Sequence, residues 1–119
     1  MRLLEAGARR LKSRLAEQGV SEAAIAEYVS VLGEPAALEA ALAWYRAAGA
    51  LTAVEVGLVA APTLYVWGDR DATVGPSAAR FTADFVTGPF RFEVLPGVGH
   101  FVTDEAPEAV TRLLLSHLA

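Results

Sequence analysis

"TLYVWGDRD", residues 63–71, decides how this chain is read. Thr63 to Trp67 is an unbroken run of apolar and β-favouring side chains, which describes a strand. A strand that is apolar on every position belongs inside a parallel sheet covered on both faces. The polar loop "GDRDATVG" follows and carries two carboxylates, Asp69 and Asp71. Pro76 then suits the first turn of a short helix, "PSAARFTADF". A second strand is read at "RFEVL", residues 91–95, and the loop "PGVGH" ends in His100, one of two histidines in the chain. A last helix is expected from about Pro107 to Leu118, with Val110, Leu113, Leu114 and Leu118 on one side. The order β-α-β-α implies two parallel strands joined by a right-handed crossover. "LTAVEVG", residues 51–57, is the only weak candidate for a further strand.

In such a unit the loops leaving the C-terminal ends of both strands emerge on the same side of the sheet. Directly paired strands lie about 4.8 Å apart, so the Asp69/Asp71 loop is expected to stand beside the His100 loop. A carboxylate beside an imidazole is the orienting half of a base. It accepts the Nδ1 proton, fixes the tautomer and stabilises the imidazolium formed when Nε2 takes a proton. Gly97 and Gly99 allow a sharp turn and keep bulk away from the ring. The competing reading of His100 is a loop histidine bonded to a backbone carbonyl. The flanking glycines and the neighbouring acids favour the base.

Residues 1–49 have a different texture and read as helices. Leu4, Ala8, Leu11 and Leu15 recur at helical spacing, and Gly19 ends the segment. Ser21 is an N-cap candidate, with Val20 and Ile25 at the spacing of a hydrophobic staple. Ile25, Tyr28, Val29 and Leu32 form the expected buried stripe of a helix stopped by Gly33. Pro35 opens a third helix, "PAALEAALAWYRAAG", closed by Gly49.

Composition narrows the functional classes. A chain of 119 residues is one domain's worth or less. Its formal charge of −4 leaves no basic face for phosphates, which argues against nucleic acid as a partner. The absence of cysteine excludes a disulfide framework and thiolate zinc sites, and fits a reducing cytoplasm. The longest apolar stretch, "GLVAAPTLYVWG", is broken by Pro62 and is too short to span a bilayer. Arginine outnumbers lysine, with Lys12 the sole lysine, and alanine is abundant; this usage fits a GC-rich bacterial genome.

The run "APTLYVWGDRDATVG" followed by "FEVLPGVGHFVTDEAPEAVTRLLLSHL" resembles the C-terminal end of the α/β-hydrolase fold. In that family a strand ends in Gly-x-x-Asp, the triad acid, and the resemblance thereby selects Asp71 over Asp69. The next strand ends in Gly-x-Gly-His or a close variant, which implies His100 as the general base. Glu105-Ala106-Pro107 is similar to the Glu-x-Pro element that opens the family's last helix. "AALAWYRAAGA" resembles the last lid helix of the epoxide hydrolase and haloalkane dehalogenase branch, although Ala43 stands where Asn is usual. There a tyrosine donates a hydrogen bond to the epoxide oxygen. The resemblance thus implies that Tyr45, with Trp44 beside it, lines the substrate pocket. The fold class implied is α/β, a partial α/β-hydrolase, with a helical lid segment at 1–50 and the β-α-β-α portion of the core at 51–119.

The family's nucleophile elbow, Gly-x-[Ser/Asp/Cys]-x-Gly, has no counterpart in these residues. The chain is therefore expected to carry an acid and a base and to be inactive alone. A small hydrophobic epoxide or ester is the substrate implied for a complete enzyme. Self-association or an N-terminal half is the partner expected to complete it, and the alternative is a non-catalytic, self-associating remnant. No membrane partner, metal or organic cofactor is implied. Tyr45 has a plainer reading as a packing residue of an amphipathic helix, and Trp44 and Trp67 as core or lid contacts. Asp69 and Arg70 read as solvated turn residues, and His117 as structural or exposed. Asp104 and Glu105 read as helix N-terminal acids rather than metal ligands.

Overall fold

The computed structural model describes residues 5–50 and 57–119. The chain divides into two compact units, Met1–Glu55 and Val56–Ala119. Leu4 of the first apolar stripe, and all but the last residue of the weak strand candidate at 51–57, lie outside the described residues.

The first unit is helical: α1 (Glu5–Glu17), α2 (Glu22–Leu32) and α3 (Pro35–Ala50). The end of α1 is chemically explicit. Gly19 takes φ +83°, its N–H donates to the Ala16 carbonyl, and the Val20 N–H reaches back to Leu15. These two bonds satisfy carbonyls that the helix leaves open, and the left-handed angle suits a residue without a Cβ. Ser21 caps α2, its hydroxyl accepting from the Ala24 N–H at 3.2 Å. Val20 and Ile25, on either side of this cap, are buried with Ala8 and Leu38. Tyr28, Val29 and Leu32 of the expected stripe are only half-buried. Gly33 ends α2 with helical angles, not left-handed ones; a side chain there would run into the Val29 carbonyl. Gly49 does not close α3, which continues to Ala50.

The second unit contains a two-stranded parallel sheet. β1 (Thr63–Gly68) pairs with β2 (Phe90–Leu95) in the register Thr63 to Phe90 through Gly68 to Leu95. The expected strands at 63–67 and 91–95 are found one residue longer. A bridge from Val59 to Val86 extends the pairing backwards. The crossover contains α4 (Pro76–Phe81) and a 3-10 turn at Thr82–Phe85. After β2 come a single helical turn, α5 (Val102–Glu105), and then α6 (Pro107–Leu118). Tyr65 and Phe92, opposite each other in the register, stack with centroids 5.4 Å apart.

Among the described residues of this unit, Trp67, Gly68 and Ala79 are buried, whereas Thr63 to Val66 are half-buried. The apolar side of α6 is narrower than its sequence suggests. Val110 and Leu113 are half-buried, but Leu114 and Leu118 are exposed, together with Leu115. His117 is half-buried. Among the described residues no helix is long and apolar enough to cross a membrane.

Candidate active site

The parallel register brings the ends of β1 and β2 level, and the backbone then knits the two following loops together. The Asp69 N–H donates to the Leu95 carbonyl at 3.2 Å, and the Arg70 N–H to Val98 at 3.0 Å. The Asp71 N–H closes a turn onto Gly68 at 3.1 Å. Gly68 is required at this crossing. A Cβ would collide with the carbonyl oxygens of both Val98 and Gly99, so only glycine allows the His100 loop to lie across the end of β1.

Asp71 is held from two sides. Its Oδ1 accepts the N–H groups of Thr73 and Val74, at 2.7 and 2.9 Å, an arrangement that Asp favours in turns. The Trp67 indole N–H donates to the Val74 carbonyl at 2.9 Å and ties the far end of the same loop to β1. The remaining oxygen, Oδ2, lies 2.9 Å from His100 Nδ1. The Asp71 side chain is 5% exposed and that of His100 is 36% exposed. A carboxylate only accepts hydrogen bonds, so in the neutral imidazole this contact assigns the proton to Nδ1 and leaves Nε2 with its lone pair. Phe101 meets the imidazole edge-on, with centroids 5.4 Å apart.

Burial opposes ionisation of Asp71. The hydrogen bonds from His100, Val74 and Thr73, with the charge of a protonated His100, outweigh it and hold the carboxyl below its ordinary value of 3.8. The hydroxyl of Tyr65 is pushed the other way, by burial and then by the Asp71 charge. Because the folded pKa of Asp71 is depressed, its stabilising contribution is full above the unfolded value. It is lost as pH falls through the folded one. Urea unfolding of the wild type and Asp71→Asn between about pH 6 and about pH 2 checks this. The wild type's advantage is expected to shrink on the acid side, and a pH-independent difference would contradict it.

Two residues do more than the sequence suggests. Asp69 is not simply a solvated turn residue: its Oδ1 accepts the Gly97 N–H at 2.6 Å and straps the two loops together. Gly97 takes φ +76°, a left-handed turn suited to glycine. Glu105 turns its carboxylate toward the histidine loop, where Oε2 accepts the Gly99 N–H at 2.9 Å. Neither bond has a periodic or motif signal in the sequence. Tyr45 and Trp44 belong to the helical unit and stand on the exposed part of α3, 75% and 73% exposed. Among the described residues no group of three His, Cys, Asp or Glu side chains is assembled for a metal.

No family model matches the chain. Epoxide hydrolase 4 of Homo sapiens is 29% identical to it over 91 residues, covering 76% of this chain and 25% of that protein. Epoxide hydrolase 4 of Mus musculus is 30% identical over the same proportions of each. Epoxide hydrolase 3 of Xenopus tropicalis is 26% identical over 99 residues, 83% of this chain and 27% of that protein. The chain thus spans about a quarter of the length of these curated relatives. By these matches its homologues are epoxide hydrolases, enzymes of the α/β-hydrolase family, at modest identity.

Proposed function

We propose that this chain supplies the acid and the base of an epoxide-hydrolase-like enzyme, and that the nucleophile comes from a segment outside these residues. The observation that carries this reading is the 2.9 Å contact between His100 Nδ1 and Asp71 Oδ2, at the ends of two paired parallel strands. The similarity to epoxide hydrolases supports the reaction class.

The chemistry follows from the pair. A carboxylate nucleophile attacks one epoxide carbon, the ring C–O bond breaks, and the oxygen leaves as an alkoxide. The Tyr45 hydroxyl, with Trp44 lining the same pocket, gives that oxygen its proton. The product of this step is an ester. His100 Nε2 then takes a proton from water, and the hydroxide attacks the ester carbonyl. Asp71 stabilises the resulting imidazolium. Collapse of the tetrahedral intermediate releases the diol, whose second oxygen takes the proton of the new carboxylic acid. The imidazolium proton returns to the Tyr45 phenolate, so carboxylate, imidazole and phenol are all restored. With a serine nucleophile the same pair would serve an ester substrate.

The test supplies what the sequence lacks. The chain is co-expressed with a polypeptide carrying the preceding strands and a nucleophile elbow, and turnover of an aryl epoxide is measured. Activity that depends on His100 is the expected result. Turnover equal in the wild type and His100→Ala would remove the catalytic role.

A second reading, a self-associating subunit without catalysis of its own, is favoured by exposed apolar surface. Leu115 and Leu118 project from α6, and Phe81 and Phe85 line an open groove of about 500 Å³ with Ser77, Ala78 and Thr82. Light scattering separates the two. A stable homo-oligomer without turnover in the co-expression assay supports this second reading.

A further inference from the structure

The base has a support that lies outside the acid–base pair. Glu105 is the last residue of α5. Its Oε2 accepts the N–H of Gly99, the residue immediately before His100. Its Oε1 is buried and has no hydrogen-bond partner among the described residues. That oxygen lies where a side chain on residue 99 would be, 2.7 Å from an ideal Cβ. In the next peptide, the Gly99 carbonyl packs where a side chain on Gly68 would stand. Gly99 is therefore bonded at its N–H by a carboxylate, and its carbonyl packs against the end of β1.

A purely space-filling residue at the α5–α6 corner would not be a glutamate. Burying a carboxylate oxygen without a partner is costly, and an apolar side chain fills such a space without that cost. What the carboxylate contributes instead is a charge-assisted hydrogen bond, shorter and stronger than a neutral one. It is directed at the backbone of the residue immediately before His100.

We propose that Glu105 is a positioning residue for His100: acting through the Gly99 N–H, its carboxylate fixes the loop that presents the imidazole to Asp71. This deepens the reading above and rests on it for the chemical role of the imidazole. It gives the Glu-x-Pro element a job distinct from starting the last helix. The Pro107 ring suits the first turn of α6, while Glu105 faces back to the loop.

The experiment uses the full chain with ¹⁵N-labelled histidine and reads exchange of the His100 Nδ1 proton, which needs no turnover. Glu105→Ala is expected to keep the native far-UV helix signal and to speed that exchange about tenfold, the scale of one lost hydrogen bond. Glu105→Gln keeps an oxygen for the Gly99 N–H and is expected to return the rate to within about threefold of wild type. An unchanged Nδ1 signal in Glu105→Ala overturns the proposal, as does a failure of Gln to rescue. Loss of the helix signal in Glu105→Ala also overturns it, since Glu105 would then be a scaffold residue. Asp71→Asn, run alongside, separates the two failures. If it leaves the imidazole unchanged, the acid–base reading is wrong. If it alters the imidazole while Glu105→Ala does not, only the positioning role is wrong.

Discussion

Asp71→Asn is expected to leave the fold intact and to lower turnover of the assembled hydrolase on the order of 10³ to 10⁴-fold. The reason lies in which oxygen does what. Asp71 Oδ1 already accepts two backbone N–H groups, from Thr73 and Val74. An asparagine must leave its carbonyl oxygen there, so its NH₂ takes the place of Oδ2 and faces His100 Nδ1. An amide nitrogen donates and does not accept. The imidazole then presents its Nδ1 lone pair to Asn and carries its proton on Nε2, the atom that in the proposed mechanism takes a proton from water. The ring is in place but in the wrong tautomer. Steady-state kinetics on the co-expressed enzyme checks this. Asp71→Asn and His100→Ala together should cost little more than His100→Ala alone, because the two side chains act as one unit. Additive losses would mean that they act separately.

The second large effect is on stability. Gly68→Ala is expected to destabilise the β-α-β-α unit by about 3 kcal/mol, the upper end for inserting a methyl group into a filled site. The atoms that a Cβ would meet are backbone carbonyl oxygens of Val98 and Gly99, which cannot rotate aside. Relief requires the His100 loop to lift off the end of β1, so the same substitution should also cost the Asp71–His100 contact. Gly97→Ala is the control. Nothing lies within 4 Å of a Cβ there, and only the positive φ opposes it, at about 1 kcal/mol. Urea unfolding monitored by Trp67 fluorescence gives both values. A Gly68→Ala chain no less stable than Gly97→Ala would contradict the packing described here.

How much of this was legible in the sequence depends on the kind of signal. The parallel pair, its crossover and the last helix are readable because they rest on long apolar runs punctuated by Gly and Pro. The meeting of Asp71 and His100 follows from topology, since parallel pairing of β1 and β2 puts both loops on one rim. The choice of Asp71 over Asp69 came from resemblance alone. In the structure Asp69 accepts the Gly97 N–H, and Asp71 contacts the imidazole. Glu105 was read as an acid near a helix start. Its bond to Gly99 spans six residues across an irregular corner, and no periodicity reports such a contact. The spacing puts Leu114 and Leu118 on one side of α6 with Val110 and Leu113, yet both are exposed. Sequence identifies an apolar stripe but not whether the surface opposite it is within the same residues. Tyr45 and Trp44 remain tied to the site by resemblance and by the function proposed from it.

Whether Asp71 holds His100 with the proton on Nδ1 and the lone pair on Nε2 decides the chemistry of the pair. Ring-nitrogen NMR of the deprotonated imidazole measures this directly, and His117 serves as an internal reference because it is the only other histidine. The Nδ1–H tautomer is expected for His100 in the wild type and its reversal to Nε2–H in Asp71→Asn, with His117 unmoved. A His100 that shows the same tautomer in both proteins would contradict that assignment.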